Sequence, residues 1–351
     1  MFQLIVDKLA QCLPWYPSER VLCLGVEYDG SDENGRKAFL EDFSSRIQLT
    51  YRSGFTTPLT LVGGKEINSD SGWGCMLRVT QMALAQCFVS LKFGREWRFD
   101  AARDLEQNSD YLQIVSCFLD TPSALLSLHN LVAAGQRLLG KAPSEWFGPT
   151  SAARAVCSLF SDARGDATLA LSPLIRHTGC VAFDDGTIFK ESVLQQFAEG
   201  CESVVLLFCR RLGLDNITIE HRSGLERCFS LPQFEGLASG NSGSSAHFFV
   251  ATQGDTLLYL DPHITQPALE SVDDVRGSAG SLRPSRPLPL RWSRLNPSVC
   301  LVFLVRSRSD FAQLCEKLSE EPFKEVFEIL DRRPEYVERA VVAEGDFALL
   351  E

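Results

Sequence analysis

The sequence lacks most of the features that would make its chemistry obvious. Its longest apolar strings, such as Val204 to Cys209, fall far short of the roughly 20 residues that a membrane-spanning helix needs. The opening Met1 to Ala10 is apolar but short, has no basic start, and is interrupted by Asp7 and Lys8, so it does not read as a targeting segment. Twelve cysteines are present, yet there is no Cys-x-x-Cys pair and no histidine pair at ligand spacing, which argues against a structural zinc or a disulfide framework. Positive charge is scarce. With 34 Lys and Arg against 45 Asp and Glu, the net charge of -11 disfavours a nucleic-acid binder and any lasting attachment to an anionic membrane. The arginines between 276 and 294 are scattered among prolines and serines, and no internal repeat is evident. The expectation is a cytoplasmic, monomeric protein with reduced cysteines, no metal and no cofactor, touching membranes peripherally and transiently at most.

What is present is an ordinary globular composition, 45% hydrophobic and 23% charged, in a chain of 351 residues that is long enough for one large domain or two. Met76, Val79, Ala83 and Cys87 recur at helical spacing, with Leu77, Leu84 and Phe88 widening the stripe, which predicts a largely buried helix over 75–89. Leu125, Leu128 and Val132 predict another that Gly140 ends. Strand candidates come later: Cys180 to Phe183, Val204 to Cys209, His247 to Thr252, Thr256 to Leu260 and Val299 to Val305. A Gln253-Gly254-Asp255 turn should join the third and fourth as a hairpin. Helices first and strands late suggest an α+β fold with a largely antiparallel sheet. Ser281 to Pro297 reads as a surface loop, 309–333 as a charged helix, and the remainder as a loose tail.

The chemistry begins at Ser69-Asp70-Ser71-Gly72-Trp73-Gly74-Cys75, a small-residue turn leading into the 75–89 helix. Unpaired N–H groups and the helix dipole make a helix N-terminus positive, so a cysteine there gains thiolate character. The glycines let a substrate backbone approach, and the Cys75 N–H is placed to stabilise an oxyanion. The bland alternative is a cysteine that merely opens a core helix.

A nucleophile needs a base, and two of the five histidines sit suitably, at strand ends. His263 follows Asp261 across Pro262, so the carboxylate can orient the imidazole. His247 opens a strand candidate, and Cys75, His247 and Asp261 would follow papain's chain order. Local chemistry leaves both triads open. His129, His177 and His221 are better read as satisfied structural residues.

Ser69 to Arg78 resembles the nucleophile motif of the autophagins, the cysteine proteases that process the ubiquitin-like modifier of autophagy. The resemblance recurs at Trp146-Phe147-Gly148-Pro149, Arg211-Leu212-Gly213-Leu214, Ser245-Ala246-His247-Phe248-Phe249 and Tyr259 to Pro267. These blocks keep the family's order and span about Phe43 to Pro267.

The resemblance implies a papain-like protease domain over 1–340, with a small auxiliary α/β subdomain within about 160–225, and a tail at 341–351. It implies a Cys–Asp–His order, which makes Asp261 and His263 the partners of Cys75 and leaves His247 as a supporting neighbour. Thr50-Tyr51-Arg52 is similar to the segment whose tyrosine completes the oxyanion hole. The implied reaction is cleavage after a glycine near the modifier's C-terminus, both in the precursor and in the phosphatidylethanolamine conjugate. Trp146 and a mobile loop over Phe234 to Ser244, which includes Leu237, would clamp that glycine, and Arg211 would contact the modifier. The loop's sequence departs from the family's, with Ser244 where an asparagine is expected.

In the tail, Phe347-Ala348-Leu349-Leu350 has acidic neighbours and the aromatic-x-x-aliphatic form that binds the modifier by β-addition. Phe327-Glu328-Ile329-Leu330 shares the form but is expected in a helix. The competing readings are a catalytically silent modifier-binding protein and a protease acting on ubiquitin itself.

Overall fold

The computed structural model describes residues 20–165, 173–184, 186–240 and 245–334. Tail residues Phe347 and Leu350 lie outside the described residues, as do 241–244 of the expected loop.

The chain builds a nine-stranded mixed sheet with helices packed against it. The elements that position the site are strands β1 (Arg20–Cys23), β2 (Val26–Asp29) and β3 (Arg52–Ser53), then helix α1 (Cys75–Phe93). Helices α2 (Leu128–Leu139) and α3 (Pro149–Gly165) follow, then strands β4 (Thr178–Phe183), β5 (Ser203–Arg211), β6 (Phe234–Gly240), β7 (Ala246–Gln253) and β8 (Thr256–Leu260). Short strand β9 (Gln266–Pro267), β10 (Leu288–Arg291), β11 (Ser298–Val305) and helix α4 (Arg308–Leu318) complete the set.

Across the sheet the order is β10, β8, β7, β6, β11, β5, β4, with β1 added beside β7 and β2 beside β1. Every neighbour is antiparallel except β4 and β5, so the expected antiparallel character holds. The β7–β8 hairpin closes at Gly254, whose positive φ suits the tight turn.

Helix α1 runs one turn further than its apolar stripe suggested, to Phe93, with Gly94 as its C-cap. Every residue from Cys75 to Ser90 is buried, because the helix lies against β6 and β7 on one side and other helices on the rest. Helix α2 ends where expected, at a left-handed Gly140, but starts at Leu128 because Ser127 caps it through the Asn130 N–H.

Three expectations need correction. The 281–297 stretch is not simply a surface loop: β10 pairs with β8 in register from Thr256 to Tyr259, and Trp292 packs into the core. The charged 309–333 helix stops at Leu318. Beyond it Pro322 cannot donate to a helical ladder, and Glu328–Leu330 forms a strand parallel to Thr187–Phe189. Phe327-Glu328-Ile329-Leu330 therefore is not helical either. The third correction, at β6, bears on the site.

Candidate active site

Cys75 is the first residue of α1 and is buried. Gly74 caps the helix without a side chain, so no hydroxyl or carboxylate competes for the first-turn N–H groups. The preceding turn is held from within: the Asp70 carbonyl accepts from Trp73 N at 3.2 Å and Gly74 N at 2.9 Å. Gly72 supplies the left-handed residue the turn requires.

The loop after β8 brings Asp261 and His263 to this thiol. Asp261 Oδ1 accepts the His263 backbone N–H at 3.0 Å and sits 2.5 Å from His263 Nδ1, which leaves the other ring nitrogen for Cys75. The loop is pinned to the residue before β3: Tyr51 N donates to Pro262 O at 2.8 Å and Gln266 N donates to Tyr51 O at 2.9 Å. Gln48 Nε2 donates to the Asp261 carbonyl at 2.7 Å, a support for which the sequence carries no signal, the two residues being 213 positions apart.

The electrostatics follow from these contacts. Burial alone would lower the His263 pKa, but its bonds to Asp261 and Cys75 and their charges raise it to about 9. Burial would raise the Cys75 pKa. It is lowered instead, by the bond and charge of His263, the Tyr51 hydroxyl and the Ala246 backbone. Burial likewise works against an ionised Asp261, and the two histidines outweigh it. The geometry is that of a thiolate–imidazolium pair oriented by a carboxylate.

His247 occupies a different position. Its Nδ1 is 3.8 Å from Asp261 Oδ1, its Nε2 is 3.3 Å from Ser245 Oγ, and its ring packs on Tyr259 at 4.3 Å. Burial, first of all, lowers its pKa to about 4, so it is neutral at physiological pH. Of the two candidate bases, His263 is the one that bonds Asp261 and interacts with Cys75; Cys75 is not among the groups acting on His247. Together the two histidines and Asp261 offer ligand atoms within 4.8 Å of one another, but His263 Nδ1 and Asp261 Oδ1 already bond each other.

Tyr51 is buried with its ring edge-on to His263 at 5.4 Å, and its hydroxyl bonds Cys75. Burial and the neighbouring Cys75 push the Tyr51 hydroxyl far above its ordinary range, so it remains a donor. Ser71 Oγ, in the turn before Cys75, and Thr265 Oγ1, in the loop after His263, meet at 2.8 Å.

The remaining sequence candidates differ in exposure. Trp146 is 44% exposed, which rules out a core role for it. Arg211 is exposed and donates to Ser298 Oγ and to the Leu214 carbonyl. Leu237 is the third correction. Residues Phe234–Gly240 form the wholly buried strand β6 between β7 and β11, and Leu237 is 0% exposed, so it cannot belong to a mobile loop that touches substrate. His129 is bonded to the Thr57 carbonyl at 2.7 Å, as a structural histidine would be. Among the described residues no helix is long and apolar enough to cross a membrane.

Comparison with known proteins identifies the family. The peptidase C54 catalytic domain matches residues 36–317. A protein named cysteine protease 1, from Neurospora crassa, is 34% identical over 82% of this chain and 59% of its own length. A probable cysteine protease ATG4 from Pichia angusta is 33% identical over 85% of this chain and 64% of its own. Cysteine protease atg4 from Emericella nidulans is 34% identical over 78% and 71%. The chain thus spans under two thirds of the first two relatives. The matched region nevertheless contains Cys75, Asp261 and His263, and the chain belongs to the peptidase C54 family.

Proposed function

We propose that the chain is a papain-like thiol protease that cleaves a ubiquitin-like autophagy modifier after its C-terminal glycine. It would do so once to process the precursor and again to release the modifier from phosphatidylethanolamine. The observation that carries this reading is His263, which interacts with the Cys75 thiol and lies with its Nδ1 2.5 Å from the Asp261 carboxylate. The names of the relatives, several of them ATG4 cysteine proteases, support the choice of substrate.

The chemistry is acyl transfer. The Cys75 thiolate attacks the glycine carbonyl carbon, and the displaced electron pair moves onto oxygen, where the Cys75 N–H and the Tyr51 hydroxyl receive it. Collapse expels the amine, which takes its proton from His263. The thioester is then attacked by water, whose proton returns to His263, and the thiolate–imidazolium pair is restored. A peptide amine and the ethanolamine of a lipid headgroup leave from the same kind of amide, so one site serves both reactions.

Trp146 and Arg211 are the surface groups assigned to substrate, with Trp146 closing the groove over the glycine. We extend the reading to a protease domain over 1–340 with an auxiliary subdomain within about 160–225. In it the tail residues Phe347 and Leu350 dock the modifier, and the protein acts as a cytoplasmic monomer that meets membranes only through its lipidated substrate.

The test is an assay of the full chain on modifiers with C-terminal extensions, on vesicle-borne modifier conjugated to phosphatidylethanolamine, and on ubiquitin fusions. Cleavage of the first two, none of the third, and no product from Cys75→Ser is the expected pattern. Cleavage confined to ubiquitin fusions identifies a deubiquitinase. Binding of the modifier without turnover identifies a silent binding protein.

A further inference from the structure

Arg78, one turn into α1, is a charge in the core: it is 1% exposed and stands next to no solvent. Burying a guanidinium costs several kcal/mol unless its partners are well placed, and apolar residues of similar size often serve stability as well or better. Its contacts are therefore informative. Arg78 Nε donates to Asp70 Oδ2 at 2.7 Å, Nη1 donates to Gln81 Oε1 at 3.2 Å, and Nη2 forms an ion pair with Asp120 Oδ1 at 2.9 Å.

Each carboxylate then reaches a different part of the site. Asp70 belongs to the nucleophile turn, and its Oδ1 accepts the Arg52 N–H at 2.6 Å, directly after Tyr51. The turn rests on this carboxylate without clearance, since a Cβ at Gly74 would lie 2.6 Å from Asp70 Oδ2. Asp120 Oδ2 accepts the Leu269 N–H at 2.9 Å while its own N–H donates to Leu269 O at 2.7 Å. Leu269 lies just beyond β9, the short strand that ends the Asp261–His263 loop and pairs with β3. A second guanidinium, Arg52, donates to Pro267 O at 3.0 Å. One guanidinium thus joins the thiol's turn, the backbone directly after Tyr51 and the chain that follows the loop carrying the base.

We propose that Arg78 is a positioning residue: with Asp70 and Asp120 it sets the separation between the Cys75 thiol and the His263 ring. The inference rests on the protease reading above. Its physical basis is that the thiolate–imidazolium pair exists only within hydrogen-bond reach, and a misplacement of about 1 Å costs on the order of 100-fold in rate. A planar fork spanning two carboxylates is a geometry that lysine cannot reproduce.

The experiment uses the full chain with Arg78→Met, Arg78→Lys and Asp120→Asn. It measures kcat and KM on the extended modifier, the pH profile of Cys75 alkylation by iodoacetamide, and thermal melting. The expected result is a kcat loss on the order of 100-fold for Arg78→Met, with KM little changed. The alkylation profile should shift to higher pH, and Arg78→Lys and Asp120→Asn should show the same changes in smaller degree. If Arg78→Met does not fold, the other two variants decide. Variants that melt earlier yet keep the wild-type kcat and alkylation profile would reduce Arg78 to a structural ion pair and overturn the proposal. Alkylation needs no modifier, so a wild-type chain with a reactive Cys75 but no cleavage defeats the function, while the alkylation shift still judges Arg78.

Discussion

Asp261 Oδ1 lies 2.5 Å from His263 Nδ1, only two residues along the chain. The same oxygen faces His247 Nδ1 at 3.8 Å, so one carboxylate adjoins two imidazoles and bonds just one. Replacing each histidine by alanine separates their roles. His263→Ala should lower kcat by about 100- to 10,000-fold, the usual contribution of a positioned acid–base group. His247→Ala should retain measurable turnover and lose about 1–3 kcal/mol of stability, as expected for truncating a buried packed ring. Steady-state kinetics beside denaturant melts make the comparison, and equal losses of kcat would refute the assignment of the base.

The pH dependence follows from the same contacts. Activity requires the thiolate and the imidazolium together, so it should rise as Cys75 loses its proton and fall as His263 loses its own near pH 9. The His263 contribution to stability is fully present below its ordinary value of 6.5 and is lost as pH rises through about 9. The Cys75 contribution has the opposite sign, being lost as pH falls through its lowered value. Asp261→Asn removes a cause of the His263 shift and should move the alkaline limb downward. A wild-type alkaline limb already in the ordinary histidine range would contradict this account.

Tyr51→Phe isolates the hydroxyl, because the ring can keep its edge-on packing against His263. If that hydroxyl receives the oxyanion, kcat should drop by about 100- to 1,000-fold with KM nearly unchanged. The hydroxyl also helps lower the Cys75 pKa, so thiol alkylation should shift to higher pH in the same variant. Unchanged turnover would remove Tyr51 from the reaction.

Leu237 tests a place where sequence and structure part. Its surroundings, Glu-Gly-Leu-Ala-Ser-Gly, look like a flexible loop, yet they form a buried strand. The glycines mark crowding instead of freedom: a Cβ at Gly236 would meet the Phe248 ring at 2.5 Å, and one at Gly240 the Ser245 carbonyl at 2.1 Å. Leu237→Ala should therefore cost about 2–5 kcal/mol in denaturant unfolding and leave KM alone. A raised KM in a variant of unchanged stability would return Leu237 to the substrate groove.

That contrast explains what could be read from the residues. The helix at Cys75 and the hairpin at Gly254 were legible because each rests on local periodicity and turn chemistry. The choice of His263 over His247 was not, since both stand near Asp261 and only the course of the loop decides which reaches the thiol. Gln48 and Asp120 carry no sequence signal for the same reason: each acts on backbone far away in sequence, at Asp261 and Leu269. The β6 strand is hidden in the sequence because small residues serve close packing and flexibility alike.

Trp146 gives the most direct test of selectivity. It is exposed, and its ring lies against Gly148, where a Cβ would stand 3.4 Å from the indole. Its removal should disturb folding little, within about 0.5 kcal/mol as for surface substitutions elsewhere. If the indole closes the groove over the substrate glycine, its bulk is what excludes a Cβ at that position. Trp146→Ala should then raise KM for the natural glycine substrate and relax discrimination against a modifier with alanine before the scissile bond. The measurement is the ratio of kcat/KM for the glycine and alanine substrates, wild type against variant. A ratio that stays constant while both values fall together would mean the indole contributes contact area without sensing the side chain.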